Sequence, residues 1–382
     1  MKKSQSSTWM LALGLLACSC STQDMEYPTR TAVEQSRALT FTLKMPAGGK
    51  ISYTRADGEM IHDETEYAIN HLSLYEYEVG ADSSEKLVRI LKSNGNGKNV
   101  IDLTDRGSDN SYTISISVPA EYIGKDYRYR FVANDVNLAD PESESDFTSF
   151  SIAHATRELL SGNSADALSG SGIAMSGTAS DGVDDVITIA EGTSCTVDMQ
   201  RIVSRIDLRY ETPNLKVTSM ELRNAPRYGF LFKQGAIPSF ADEDCITLGH
   251  HASVQLPENF LKDLEEDESG RKPELIELEK AFYLYERANG EYGSAMVHIE
   301  YEVDYNDKVD AEGNKVYYHG SIDVPFSKAD GTFVDAERNH RYVIVLGNGK
   351  EPVAGEIKFR FVVEDWQDVA ISDEFTSDDP EI

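Results

Sequence analysis

The sequence predicts an all-β protein built from antiparallel β-sandwiches. Three observations point there. Apolar residues recur at every second position in many short segments. Asn-Gly, Asp-Gly and Glu-Gly pairs, which favour tight turns, separate many of these segments. Helical periodicity is confined to "DFTSFSIAHATRELL", Asp146 to Leu160, and a short stretch around "PENFLKDLEED". Strands therefore do not alternate with helices as a parallel α/β sheet requires. The chain has 382 residues, enough for two domains at roughly 150 residues each. Its hydrophobic content of 40% suits a globular core rather than a disordered chain.

The first segment, residues 1–17, reads as a secretory signal. Lys2 and Lys3 form a basic start and Trp9 to Leu16 a short apolar run. That run is too short for a stable membrane span. It ends in Leu15-Leu16-Ala17-Cys18, which resembles a bacterial lipobox. Cys18 is the expected lipid site, with Cys20 as the alternative, and an ordinary signal peptide is the plainer reading. A single acyl chain binds a membrane marginally, and two or three anchor it, at roughly 0.8 kcal/mol per buried CH₂. Ser19 rather than Asp follows the cysteine, which favours the outer membrane or cell surface. Losing residues 1–17 removes two lysines and no acids, so the formal charge falls from −30 to −32. Such a chain repels nucleic acid and anionic membrane surfaces.

Residues 18–37 are polar and aperiodic, as a tether would be. The first strand spans 38–45, "ALTFTLKM", with Leu39, Phe41, Leu43 and Met45 on one face. "INHLSLYEYEV" alternates less strictly around Leu72, Leu74, Tyr75 and Tyr77. "SYTISISVP" places Tyr112, Ile114, Ile116 and Val118 together, and "YRYRFVAND" does the same for Tyr127, Tyr129 and Phe131. Ser161 to Asp185 is rich in Gly, Ser, Ala and Asp and reads as a surface loop. Further strands are expected at "ITIAEG", "CTVDM", "RIVSRIDLRYE", "VTSMELRN", "YGFLF" and "AFYLYER". "AMVHIEYEVDY", "KVYYHGSIDVPF", "HRYVIVLGN" and "EIKFRFVVEDW" complete the set. A domain boundary is expected near Arg205, giving sandwiches over 38–205 and 206–382.

No reaction chemistry is legible. The chain has no GxSxG elbow, HExxH, P-loop or dinucleotide fingerprint. His250 and His251 would point to opposite faces of a strand, a poor metal site. "DYNDKVDAEGNK", Asp304 to Lys315, departs from a calcium loop at Lys308 and Glu312 and fits a hairpin loop better. Cys195 and Cys245 either pair or remain free thiols. No enzyme activity, cofactor or metal is expected.

Several blocks, taken in order, resemble the fimbrillin family, the pilin-like lipoproteins of type V pili. They are the lipobox at Cys18, "TRAD", "AINHLSLYEYE", "YRYRFVAND", "GIAMSGTAS", "TVDMQRIVSRIDL", "MELRNAP", "FYLYE", "NHRYVIVLGNG" and "GEIKFRFVVEDW". Their order spans nearly the whole chain after Cys18. The resemblance implies two transthyretin-like β-sandwich domains with one or two short helices. It also implies a surface lipoprotein whose first strand is removed by an arginine-specific protease. Another subunit's C-terminal strand then fills the vacated groove. The implied partners are other fimbrial subunits, that protease, the outer membrane through the lipid, and an unidentified surface ligand.

Under this resemblance Arg55 is the processing site. It is the only Lys or Arg between Lys50 and Lys86, in a polar stretch next to Gly58. Cutting there releases Cys18 to Arg55, including the first strand; cutting at Arg30 or Arg37 leaves that strand in place. The alternative is a plain loop arginine. A donor strand is expected over 355–366, with Ile357, Phe359, Phe361 and Val363 on one face, or else the segment stays in its own sandwich. The tail after it reads as free, or as a weaker donor through Ile371 and Phe375. The competing functions are a surface glycan-binding lipoprotein, with Tyr317 and Tyr318 as exposed aromatics, and a pilus anchor that keeps its lipid.

Overall fold

The computed structural model describes residues 37–46, 66, 68–94, 100–103, 111–135, 140–141, 156–158, 168–169, 172–210, 212–250, 254–260, 276–290, 293–328, 330–347, 357, 359–365 and 373–376. The signal, the tether up to Ser36, Cys18 and Arg55 lie outside them; Arg37 is the first residue of the first strand. The described residues belong to one compact unit, Ser36–Ile382.

The chain is all-β. The first twelve strands are β1 (Arg37–Lys44), β2 (Leu72–Val79), β3 (Glu85–Lys92), β4 (Ser111–Val118), β5 (Asp126–Ala133), β6 (Thr156–Glu158), β7 (Leu168–Ser169), β8 (Gly172–Ile173), β9 (Met175–Ser180), β10 (Ile187–Thr188), β11 (Ser194–Asp198) and β12 (Gln200–Arg201). Ten follow: β13 (Val203–Tyr210), β14 (Leu215–Pro226), β15 (Tyr228–Phe230), β16 (Cys245–Gly249), β17 (Ile276–Tyr285), β18 (Met296–Val309), β19 (Lys315–Pro325), β20 (His340–Leu346), β21 (Phe359–Asp365) and β22 (Asp373–Thr376).

The N-terminal strands run in the order β3-β2-β5-β9-β11-β1-β4. Strand β9 links the two halves of this order. Met175 to Thr178 pair with β5, and Ala179 and Ser180 pair with β11. The C-terminal strands form a five-stranded sheet, β17-β13-β20-β21-β22, and a four-stranded sheet, β16-β14-β18-β19. Strand β12 pairs back to β9, whereas β13 pairs with β17 and β20, so the chain passes between the two groups at Ile202.

Burial explains why β2 alternates poorly in sequence. Leu72 and Leu74 enter the N-terminal core, while Tyr75 and Tyr77 join the C-terminal core from the other face. A strand covered on both sides has no polar face to alternate with. In β4 the alternation is clean, and Tyr112, Ile114, Ile116 and Val118 are all buried.

Four expectations are corrected. The sandwiches are not purely antiparallel, because β1 pairs parallel with β11 and β13 parallel with β20. Within the expected helix 146–160, Thr156–Glu158 is strand β6, paired with β15; the rest lies outside the described residues. A β-strand partner overrides weak local helix preference. In the second expected helix, Pro257 to Phe260 is irregular, and the rest lies outside the described residues. The stretch read as a surface loop contains β9, whose Met175, Ser176 and Ala179 are buried. Its small residues are the reason for both facts. A Cβ at Gly177 would lie 2.8 Å from Val197 Cγ1 and 2.9 Å from the Asp198 carbonyl oxygen, so only glycine admits this close approach.

The Asp304–Lys315 stretch is a hairpin end: β18 runs to Val309 and β19 begins at Lys315. Asp310 accepts bonds from the Glu312 and Asn314 amides, and Gly313 turns the chain at φ +86.

Candidate functional site

The candidate site is strand β1 and the groove it fills. Alternation sets its orientation. Leu39, Phe41 and Leu43 point inward at 1%, 0% and 0% exposure, and Met45, just past the strand, packs against the same core. The Phe41 ring meets Tyr129 and Phe131 edge-on, with centroids 5.0 and 5.1 Å apart. The opposite face carries Thr40, Thr42 and Lys44, and Thr40 Oγ1 lies 3.4 Å from Ser115 Oγ.

Strand β1 is interior to its sheet. All eight of its residues, Arg37 to Lys44, pair antiparallel with β4, and Thr40 to Lys44 pair parallel with β11. Among the described residues, β4 has no other strand partner. Taking β1 away would leave β4 without its ladder, expose the β11 edge and uncover the aromatic floor under Phe41. Unpaired strand edges recruit another strand.

Among the described residues, the chain after β1 is tied down at two places before β2. Asn134, buried at φ +59 after β5, accepts a bond from the Asn70 amide at 2.9 Å. Its side-chain amide donates to the Ala68 and Ile173 carbonyls. Further upstream, the buried Glu66 reaches the C-terminal five-stranded sheet. Arg205 Nη1 donates to Glu66 Oε2 at 3.0 Å, and the Tyr283 hydroxyl donates to Oε1 at 2.8 Å. Arg201 Nε donates to the Glu66 carbonyl oxygen at 2.8 Å. Asp207 completes the cluster, accepting from Arg205 Nε at 2.7 Å and Arg341 Nε at 2.6 Å. Burial alone would raise the Asp207 carboxyl, but Arg205 and Arg341 outweigh it and hold that carboxyl below its usual range.

The expected donor residues line one side of β21 and its approach. Ile357 and Phe361 are buried, and Phe359 and Val363 are half-buried against the C-terminal core. Phe359, Phe361 and Val363 sit opposite Leu346, Ile344 and Tyr342 of β20. The Phe361 ring stacks on Tyr342 at 5.6 Å and meets Phe326 at 4.9 Å. This strand is not the sheet edge. Strand β22 pairs along it, Phe375 opposite Phe361, so that part of the tail is held rather than free. Ile371 lies outside the described residues. Sequence reading missed β22 because "DEFT" is too short and polar to signal a strand.

Cys195 and Cys245 are free thiols. Burial, with Asp181 nearby, pushes the Cys195 thiol up to about 11. Burial also raises Cys245, against the pull of Arg287. The aromatics Tyr317 and Tyr318 are partly exposed on β19, with Tyr317 stacked on Phe260 at 5.1 Å.

No protein-family model and no curated protein matches the chain. Solved structures similar to the chain at low identity include the following two. The tip fimbrial protein Mfa3 from Porphyromonas gingivalis, solved with a C-terminal truncation, is 13% identical with a TM-score of 0.49; the match covers 86% of this chain and 100% of that one. A candidate adhesin from Bacteroides ovatus is 12% identical with a TM-score of 0.37, over 87% of this chain and 93% of its own. A function has to rest on the chain's own residues.

Proposed function

We propose that this protein is a structural subunit, at the stalk or tip, of a cell-surface fimbrium that supports adhesion. It is exported as a lipoprotein on Cys18 to the outer membrane. Cleavage after Arg55 removes β1, and a strand from another subunit fills the groove. The observation that supports this best is the position of β1. It is an interior strand carrying three fully buried side chains, and among the described residues it alone ties β4 into the sheet. An incoming strand would have to alternate apolar and polar residues in the same way. Ile357, Phe359, Phe361 and Val363 do so. Main-chain ladders would supply affinity and the alternate pockets specificity, as in donor-strand complementation.

The alternative is a glycan-binding or anchor lipoprotein. Its supporting observation is an open groove beside the exposed Tyr318, lined by Thr218, Glu300, His319 and Ser321.

Limiting treatment of the mature protein with an arginine-specific protease separates the readings, with the new N-terminus read by mass spectrometry. A clean cut after Arg55, followed by concentration-dependent oligomers, supports a stalk subunit. A clean cut with release of β1 but no oligomers supports a tip subunit. Resistance of Arg55 in an intact fold sinks the processing step and favours the anchor or glycan-binding reading.

A further inference from the structure

The chain between β1 and β2 meets its first described attachment at Glu66, whose carboxylate binds the C-terminal sheet and whose carbonyl binds Arg201 of β12, the last strand on the N-terminal side. Glu66 is 5% exposed. Its carboxylate takes Arg205 and Tyr283, from β13 and β17, and its carbonyl takes Arg201. Two residues on, Ala68 to His71 are held by Asn134 of the N-terminal strands. Glu66 is thus fixed mainly to the C-terminal sheet, and Ala68–His71 to the N-terminal strands.

We propose that Glu66 is the stop that sets the downstream limit of the exchangeable segment. This rests on the processing reading above. Any cut between β1 and Glu66 leaves Glu66 on the retained fragment, and its ion pair is buried where water competes poorly for the charges. Loosening of the retained chain behind the cut then ends at Glu66. Fraying does not run on into Leu72 and Leu74, which fill the same core that β1 has left. Glu66 itself stays seated on Arg205 and Tyr283 of the C-terminal sheet. The cluster that holds it is prebuilt: Arg205 is fixed by Asp207, which Arg341 also grips.

The test is hydrogen exchange on the mature protein before and after cutting at Arg55, in wild type, Glu66→Gln and Tyr283→Phe. The readout is a peptide covering residues 66–71. Cutting should leave its exchange unchanged in wild type. In cut Glu66→Gln it should speed up by about tenfold, and in cut Tyr283→Phe by a smaller factor, because one hydroxyl is lost and the ion pair remains. Tyr283→Phe keeps the test alive if Glu66→Gln folds poorly. If β1 is released and both variants exchange as wild type does, Glu66 is not the stop and only this proposal falls. If the cut wild type retains a protected β1, the strand-release reading falls, and this proposal with it.

Discussion

Strands β1 and β21 occupy similar positions in different halves of the molecule, and the difference between them is instructive. Each lies between two neighbours in a sheet, and each sends alternate apolar side chains into a core. Strand β1 is the deeper. Leu39, Phe41 and Leu43 are essentially without solvent contact, and an eight-residue strand, β4, hangs on it. Strand β21 buries Phe361 fully but leaves Phe359 and Val363 half-exposed, and the neighbour on its outer side, β22, is only four residues long. Losing β1 would uncover the core that Leu39, Phe41 and Leu43 now cover. Losing β21 would cost less and disturb less. Under the proposed function, that asymmetry would let β1 be removed only by proteolysis while β21 could exchange.

The contrast makes graded predictions. Phe41→Ala removes the ring that meets Tyr129 and Phe131 and should cost about 3–5 kcal/mol in equilibrium unfolding. Asp207→Asn weakens the charged bonds to Arg205 and Arg341 and should cost about 1.5–3 kcal/mol by the same measurement. Phe359→Ala should cost only about 1–2 kcal/mol, since the side chain is half-buried. Equal losses at positions 41 and 359 would erase the difference between the two strands.

A second contrast sharpens the first through pH. Glu76 on β2 is buried, and burial raises its carboxyl despite Arg89 and the Tyr129 hydroxyl. Its folded value lies above the unfolded value of about 4.3. Its contribution to stability is full below that value and falls away as pH rises through the folded one. Asp207 is the reverse. Its folded value lies below about 3.9, so its contribution is full above that and is lost as pH falls through the folded value. Relative to wild type, Glu76→Gln should therefore look more favourable near pH 7 than near about pH 4. Asp207→Asn should look least harmful near about pH 3. Unfolding midpoints across that range check both signs; parallel curves for either variant would refute its assignment.

The smallest expected effect is at Val363. Val363→Ala should cost about 1 kcal/mol in the isolated chain. If β21 is the lent strand, the same change should weaken oligomers of the cut protein more than it weakens the monomer, which sedimentation after cleavage would reveal.

Much of this architecture was legible in the chain. Period-two alternation identified β1 and β4 with the correct inward faces, because each has one dry side and one polar side, and it found the Tyr127, Tyr129 and Phe131 face of β5 and the Phe359, Phe361 and Val363 face of β21. It failed where that physics does not hold. Strand β2 is covered on both faces. Strand β9 is made of small residues that read as a loop and in fact permit close packing. Thr156 to Glu158 takes a strand partner 70 or so residues away in sequence, which no local window contains.

The candidate site divides the same way. By itself the sequence determined that the chain is all-β, that Leu39, Phe41 and Leu43 share a face, and that Ile357, Phe359, Phe361 and Val363 share another. These follow from side-chain direction along an extended backbone, which is local. Only the tertiary structure decided that β1 is interior rather than an edge, that it runs parallel to β11, and that β4 depends on it. It alone brought Glu66 to Arg205 and Tyr283, which lie 139 and 217 positions away. Strand order and buried ion pairs are set by which surfaces can be covered at once. That is a property of the packed chain, and no single segment carries it.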